Sequence, residues 1–141
     1  MQTQIINEKG SLKNMKKSKI KIEYPLNNAS LTILWNSIGT QYGLSEWFAD
    51  EVTVDDTTYT FRWDDWEQEA RLLHLRQNSY IRFQWEEDKG TDAYFEIKIV
   101  TSELTRELVL QVTDYAGPEE GDEVILLWNK SVEKLRRLTG M

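Results

Sequence analysis

One histidine, no cysteine and a scatter of carboxylates are the raw material for chemistry in this chain of 141 residues. With His74 alone, neither a histidine-based metal site nor a Ser-His-Asp or Cys-His relay can be assembled within one chain. In an extended segment His74 falls opposite Leu73 and Leu75 and on the side of Arg76, which predicts a solvent-facing or rim position. The densest carboxylate run is Asp64-Asp65-Trp66-Glu67-Gln68-Glu69. Calcium favours such oxygens, but the ligand spacing and glycine of an EF-hand loop are missing, and acids on an exposed turn would orient no sugar substrate. The run reads as a solvated hairpin turn. Gly117-Pro118-Glu119-Glu120-Gly121 lacks the lysine and glycine spacing of a phosphate loop, and its acids would repel phosphate, so it reads as a helix entry. No catalytic residue, metal ligand or cofactor is assigned, and the chain is expected not to be an enzyme.

Aromatic side chains are the other notable resource, with six Trp, six Tyr and four Phe. The elements that carry them follow from periodicity. In Lys19–Tyr24, Ile20, Ile22 and Tyr24 alternate with charged residues, the pattern of a half-buried strand ended by Pro25. Ser30 can cap a helix whose Leu31, Leu34, Trp35 and Ile38 form one apolar stripe up to Gly39. A short helix over 41–47 then delivers the chain to Trp47-Phe48.

Strand signals follow over 51–54, 58–63, 69–77, 80–87, 93–102 and 106–115, separated by short polar turns such as Asp55-Asp56 and Asp88-Lys89-Gly90. They predict an antiparallel meander. Tyr59, Phe61 and Trp63 share a face, as do Ile81, Phe83 and Trp85, then Phe95, Ile97 and Ile99, then Leu108, Leu110 and Val112. The opposite face carries Thr58, Thr60, Arg62, Arg82, Glu96, Lys98 and Glu107, so one side of the sheet is wet. After the acidic turn 119–123, Val124, Leu127, Trp128, Ser131, Leu135 and Leu138 recur at helical spacing, with Arg136 and Arg137 near the negative end and a stop near Gly140. The fold class is α+β, in the order β-α-α-β6-α, with a curved antiparallel sheet wrapped around the long C-terminal helix.

The net charge is −7, unevenly placed: of 17 basic and 24 acidic residues, six lysines and one glutamate fall within 1–22. The remainder carries a charge near −12, which repels phosphate backbones and argues against nucleic-acid binding. Residues 1–18 are expected to be a disordered basic arm and 19–141 a single domain. Neither a signal-peptide core nor an apolar run of spanning length is present, and no disulfide can form, so a cytoplasmic chain without stable membrane insertion is expected.

The order of elements, Trp35 in the first helix, Trp47-Phe48 before the second strand, the strand TYTFRW and the terminal LLWNKSVEKLRRL together resemble the START-like helix-grip superfamily over about residues 19–138. Within it the chain looks most similar to domains that activate the ATPase of the ninety-kilodalton heat-shock chaperone. The resemblance implies a cavity between the sheet and the C-terminal helix. Trp47, Phe48, Phe61, Trp63, Phe83, Trp85 and Phe95 would line it with Ile97, Leu110, Leu127 and Trp128, while Tyr115 and Ser131 would supply polar handles. One of Trp47 and Phe48 would pack under the first helices and the other would border the mouth. The implied function is non-enzymatic binding of a small hydrophobic or amphipathic ligand, such as a lipid. The alternative is a chaperone-associated protein-interaction domain, docking through an acidic outer sheet or the aromatics near Trp66.

Overall fold

The computed structural model describes residues 16–141. The elements are β1 (Ser18–Pro25), α1 (Leu31–Gly39), α2 (Gln41–Trp47), β2 (Glu51–Asp55), β3 (Thr58–Trp63), β4 (Trp66–Arg76), β5 (Tyr80–Trp85), β6 (Phe95–Thr101), β7 (Leu108–Ala116) and α3 (Gly121–Thr139), with one 3-10 turn, Glu86–Asp88. The seven strands form one sheet in the order β1-β7-β6-β5-β4-β3-β2, every neighbouring pair antiparallel. β2 to β7 are the predicted meander. β1 returns to close beside β7, pairing Ser18 with Ala116 and Pro25 with Val109.

Ser30 caps α1, its Oγ accepting from the Ile33 amide at 3.3 Å. Thr40 then serves both helices: its hydroxyl donates to the Asn36 carbonyl (2.6 Å) and accepts from the Gly43 amide (2.9 Å). α1 and α2 meet so closely that a Cβ on Gly43 would overlap the Asn36 carbonyl oxygen. α3 ends as expected: Gly140 takes the left-handed conformation (φ 75°) and its amide donates to the Arg136 carbonyl at 2.8 Å. Its inner stripe is Trp128, Val132 and Leu135, all buried, so the predicted stripe omitted Val132 and wrongly included Leu138, which is 54% exposed. Leu138 lies about 80° round the helix from Trp128, on the flank of the inner stripe and in the last turn of α3.

Several boundaries differ from the sequence reading. The acidic run over 64–69 is not a long turn: only Asp64 and Asp65 turn, and Glu67, Gln68 and Glu69 belong to β4. Asp64 accepts a left-handed conformation (φ 52°), which lets Trp63 pair directly with Trp66. β6 begins at Phe95 and β7 at Leu108, each two residues later than expected, and Arg106 takes a positive φ (65°) in the loop that leads into β7. The expected basic arm over 1–18 overlaps the folded body. Ser18 is in β1, and Lys17 Nζ lies 2.8 Å from Asp88 Oδ1. Residues 1–15 of that arm lie outside the described residues.

Candidate functional site

α2 ends in two consecutive large rings, and adjacent residues near a helix end point about 100° apart. Trp47 turns towards α1, its indole N–H donating to the Ser37 carbonyl at 2.8 Å. Phe48 turns into the space between the sheet and α3, where its centroid lies 5.0 Å from Phe61, 5.5 Å from Trp128, 5.6 Å from Phe95 and 5.9 Å from Trp63. Both are fully buried, so neither borders an opening as the sequence reading required of one of them. The strand rings complete the layer: Phe95 lies 4.7 Å from Trp85 and 5.1 Å from Phe83, and Phe61 lies 5.6 Å from Phe83. Ile97 and Leu110 extend the same buried wall along β6 and β7.

Phe48, Phe61, Trp63, Phe83, Trp85, Phe95 and Trp128 are thus brought together at ring-contact distance, with Trp47 behind them. Two predicted residues hold lesser places. Leu127 and Ser131 flank Trp128 on α3 and are half-buried. Tyr115 is not in the interior at all. The alternation that puts Leu110 and Val112 inside puts Tyr115 outside, where its ring meets Tyr94 edge-on at 5.3 Å.

The inner handle on β7 is instead Asp114, one residue earlier, which the sequence reading did not select. Its Oδ2 accepts from the Trp128 indole N–H and its Oδ1 from the Tyr115 amide, both at 2.7 Å. Burial pushes the Asp114 carboxyl up to about 6, against the opposing pull of those two hydrogen bonds and of Lys17; the neighbouring Asp88 adds to the rise. Asp88 is itself 6% exposed and held by Lys17, not a solvated turn residue. The signal was present in the sequence: continuing the inner series Leu110, Val112 by two reaches Asp114. A second handle joins β1 to α3, where the Tyr24 hydroxyl donates to Asn129 Oδ1 at 2.7 Å. Burial pushes that phenol up to about 12, although Arg136 pulls the other way.

The wall reaches the surface at the β3–β4 turn. Trp66, 37% exposed, packs 5.1 Å from the half-buried Trp63, whose indole N–H donates to the Phe48 carbonyl at 2.8 Å. The turn is tied to the α2–β2 junction by the Asp64 amide donating to Asp50 Oδ2 at 2.9 Å. Rings therefore run without interruption from solvent at Trp66 to Trp128 beneath α3.

His74 is exposed, with Nδ1 3.4 Å from the Tyr80 hydroxyl oxygen, as its rim assignment predicted. Among the described residues, no group of three His, Cys, Asp or Glu side chains is placed to hold a metal ion, and no helix is long and apolar enough to cross a membrane. The arrangement offers aromatic surface, one buried hydrogen-bonded pair and a second, part-buried one at its edge, which suit binding and orientation.

A solution structure of a Bacteroides fragilis protein is 46% identical and superposes with a TM-score of 0.61, covering 88% of this chain and 92% of its own. The solution structure of an Aha1 dimer from Colwellia psychrerythraea, 17% identical, gives 0.61 over 89% of this chain and 94% of its own. A crystal structure from Bacillus thuringiensis, 11% identical, gives 0.67 over 89% and 100%. At such identities the last two share the fold alone. No curated protein matches this chain. The family model of the START-like superfamily domain matches residues 14–141. With the antiparallel sheet closed over α3, that match places the chain in the START-like superfamily.

Proposed function

We propose that this domain is a non-enzymatic, cytoplasmic binding module that takes a small hydrophobic or amphipathic molecule between its sheet and α3. The observation that carries the reading is a buried carboxylate, Asp114, bonded to the indole of α3 within an otherwise aromatic interior. Such a group orients a guest that the rings hold by contact alone. Because the rings already touch one another, the guest enters by displacing them. The Trp63–Trp66 pair at the surface and Phe48 at the α2 end are the groups placed to move. Each Å² of apolar ligand surface removed from water contributes about 25 cal/mol.

Native mass spectrometry of freshly purified protein tests this directly, with a retained small molecule expected. A thermal-shift panel of fatty acids and aromatic compounds is expected to include one that, at about 100 times its Kd, stabilises the protein by about 2.7 kcal/mol. An empty protein that no compound stabilises overturns the reading. Close ring packing favours a second reading, a chaperone-associated protein-interaction domain like the activators of the heat-shock-90 ATPase. Affinity capture from the native host with the wild-type chain and a Trp66→Ala variant tests it. A partner retained by the first and lost by the second is the expected result, and equal capture counts against it.

A further inference from the structure

The sheet face turned away from the helices is not uniform. Around the β2–β3–β4 end it carries Glu51, Asp55, Glu67 and Glu69 about Arg62. The other half, made by the later part of β4 with β5, β6, β7 and β1, presents Lys19, Lys21, Arg71, Arg76, Arg82 and Lys98 against Glu23 and Glu96. A chain of net charge −7 thus concentrates cations on one part of its outer sheet, and the acidic outer face expected from the sequence is confined to the β2–β3–β4 end.

These cations are also held in place. Arg82 donates to Glu96 Oε2 through Nε (2.8 Å) and Nη2 (2.7 Å), and its guanidinium carbon sits 4.1 Å over the Tyr94 ring. Lys19 Nζ lies 5.6 Å from the Tyr94 centroid and 6.0 Å from that of Tyr115, and Lys98 Nζ lies 5.3 Å from that of Tyr80. So complete is this layer that Glu96 and Thr113, on the side without helices, are only 4% and 3% exposed. A cation fixed against a ring loses less side-chain entropy when it meets an anion, and a positive surface bounded by negative ones steers an anionic partner to one place.

We propose that the β5–β6–β7–β1 face docks an acidic, Asp/Glu-rich segment of a partner protein, laid over the tyrosines between the fixed cations. The size of the surface selects this partner. Four strands about 4.8 Å apart give a surface roughly 15–20 Å wide, enough for an extended segment of about five or six residues. A nucleic acid of greater length would overrun onto the carboxylates of β2–β3–β4 and be repelled. Nothing here depends on whether the interior holds a ligand.

The test uses the 15N-labelled 141-residue chain with a hexaglutamate peptide, a hexaglutamine control and a ten-nucleotide thymidine strand. Hexaglutamate is expected to shift the amides of Arg82, Lys98, Thr113 and Tyr115, with a Kd that rises at least ~10-fold between about 20 and 200 mM salt, while hexaglutamine does nothing. The variant Lys19→Glu/Lys21→Glu/Arg76→Glu, whose three side chains are exposed, is expected to weaken binding at least ~10-fold with its spectrum otherwise retained. Should that variant misfold, the corresponding triple glutamine substitution supplies the comparison. The proposal is overturned by shifts that map elsewhere or do not occur, by tighter binding of the thymidine strand, or by an unchanged Kd in the folded variant.

Discussion

Replacing Asp114 with asparagine isolates the one buried carboxylate whose titration is displaced into the mildly acidic range. Burial raises its folded pKa from 3.8 to about 6, so between those values the folded protein binds a proton that the unfolded chain has released. The associated stability is fully present below the unfolded value and is lost as pH rises through the folded one. An interval of about two pKa units corresponds to about 3 kcal/mol between pH 4 and pH 7. For 141 residues that is about 10 °C in Tm. Asparagine removes the titration but offers one oxygen to two donors, the Trp128 indole and the Tyr115 amide, a pH-independent loss of about 1–3 kcal/mol. Asp114→Asn is therefore expected to be less stable than wild type at pH 4, and to gain about 3 kcal/mol relative to it by pH 7. Urea denaturation at half-unit pH steps, followed by tryptophan fluorescence, measures the difference, in which the other carboxylates cancel. A difference that stays flat across pH 4 to 7, or an Asp114 Cγ NMR resonance that titrates near 4, would refute the reasoning.

Trp128→Phe removes the indole donor that pulls Asp114 down, so the Asp114 resonance is expected to titrate above about 6 and stability to fall by about 1–3 kcal/mol, read by carbon NMR and urea melts. Phe48→Ala empties the centre of the ring layer and is expected to cost about 3–5 kcal/mol in chemical denaturation. Gly43→Ala drives a methyl against the Asn36 carbonyl and forces α1 and α2 apart; a loss of more than about 1 kcal/mol, where alanine would otherwise favour the helix, is expected in the same assay.

The inner rings of β3, β5 and β6 were legible because strand alternation is a property of the backbone, with period two whatever the side chains are. Phe61, Phe83, Trp85 and Phe95 came out where that rule puts them, and Trp128 where the helical spacing of α3 does. The polar handle did not. Tyr115 has the residue type of a polar handle, but the same alternation assigns the inner place to Asp114, where a carboxylate is tolerated because the α3 indole and the Tyr115 amide both donate to it. Val132 was passed over beside the small polar Ser131, and which of the two faces the sheet depends on how α3 is rotated about its axis. Trp47 and Phe48 declared a junction, but the chain alone could not say that α1 covers the first and α3 the second.

Local pattern alone therefore determined the elements, their order, the antiparallel meander and the apolar side of each strand, all of which depend on residues a few positions apart. Tertiary structure decided that β1 closes beside β7, that Asp114 and Trp128 meet across 14 residues, and that Lys19 reaches the rings of Tyr94 and Tyr115. It also decided that the cations of β1, β5 and β6 share one surface. Those contacts join segments far apart in the chain, and only the strand order of the folded sheet sets the distances on which hydrogen bonds and charges depend.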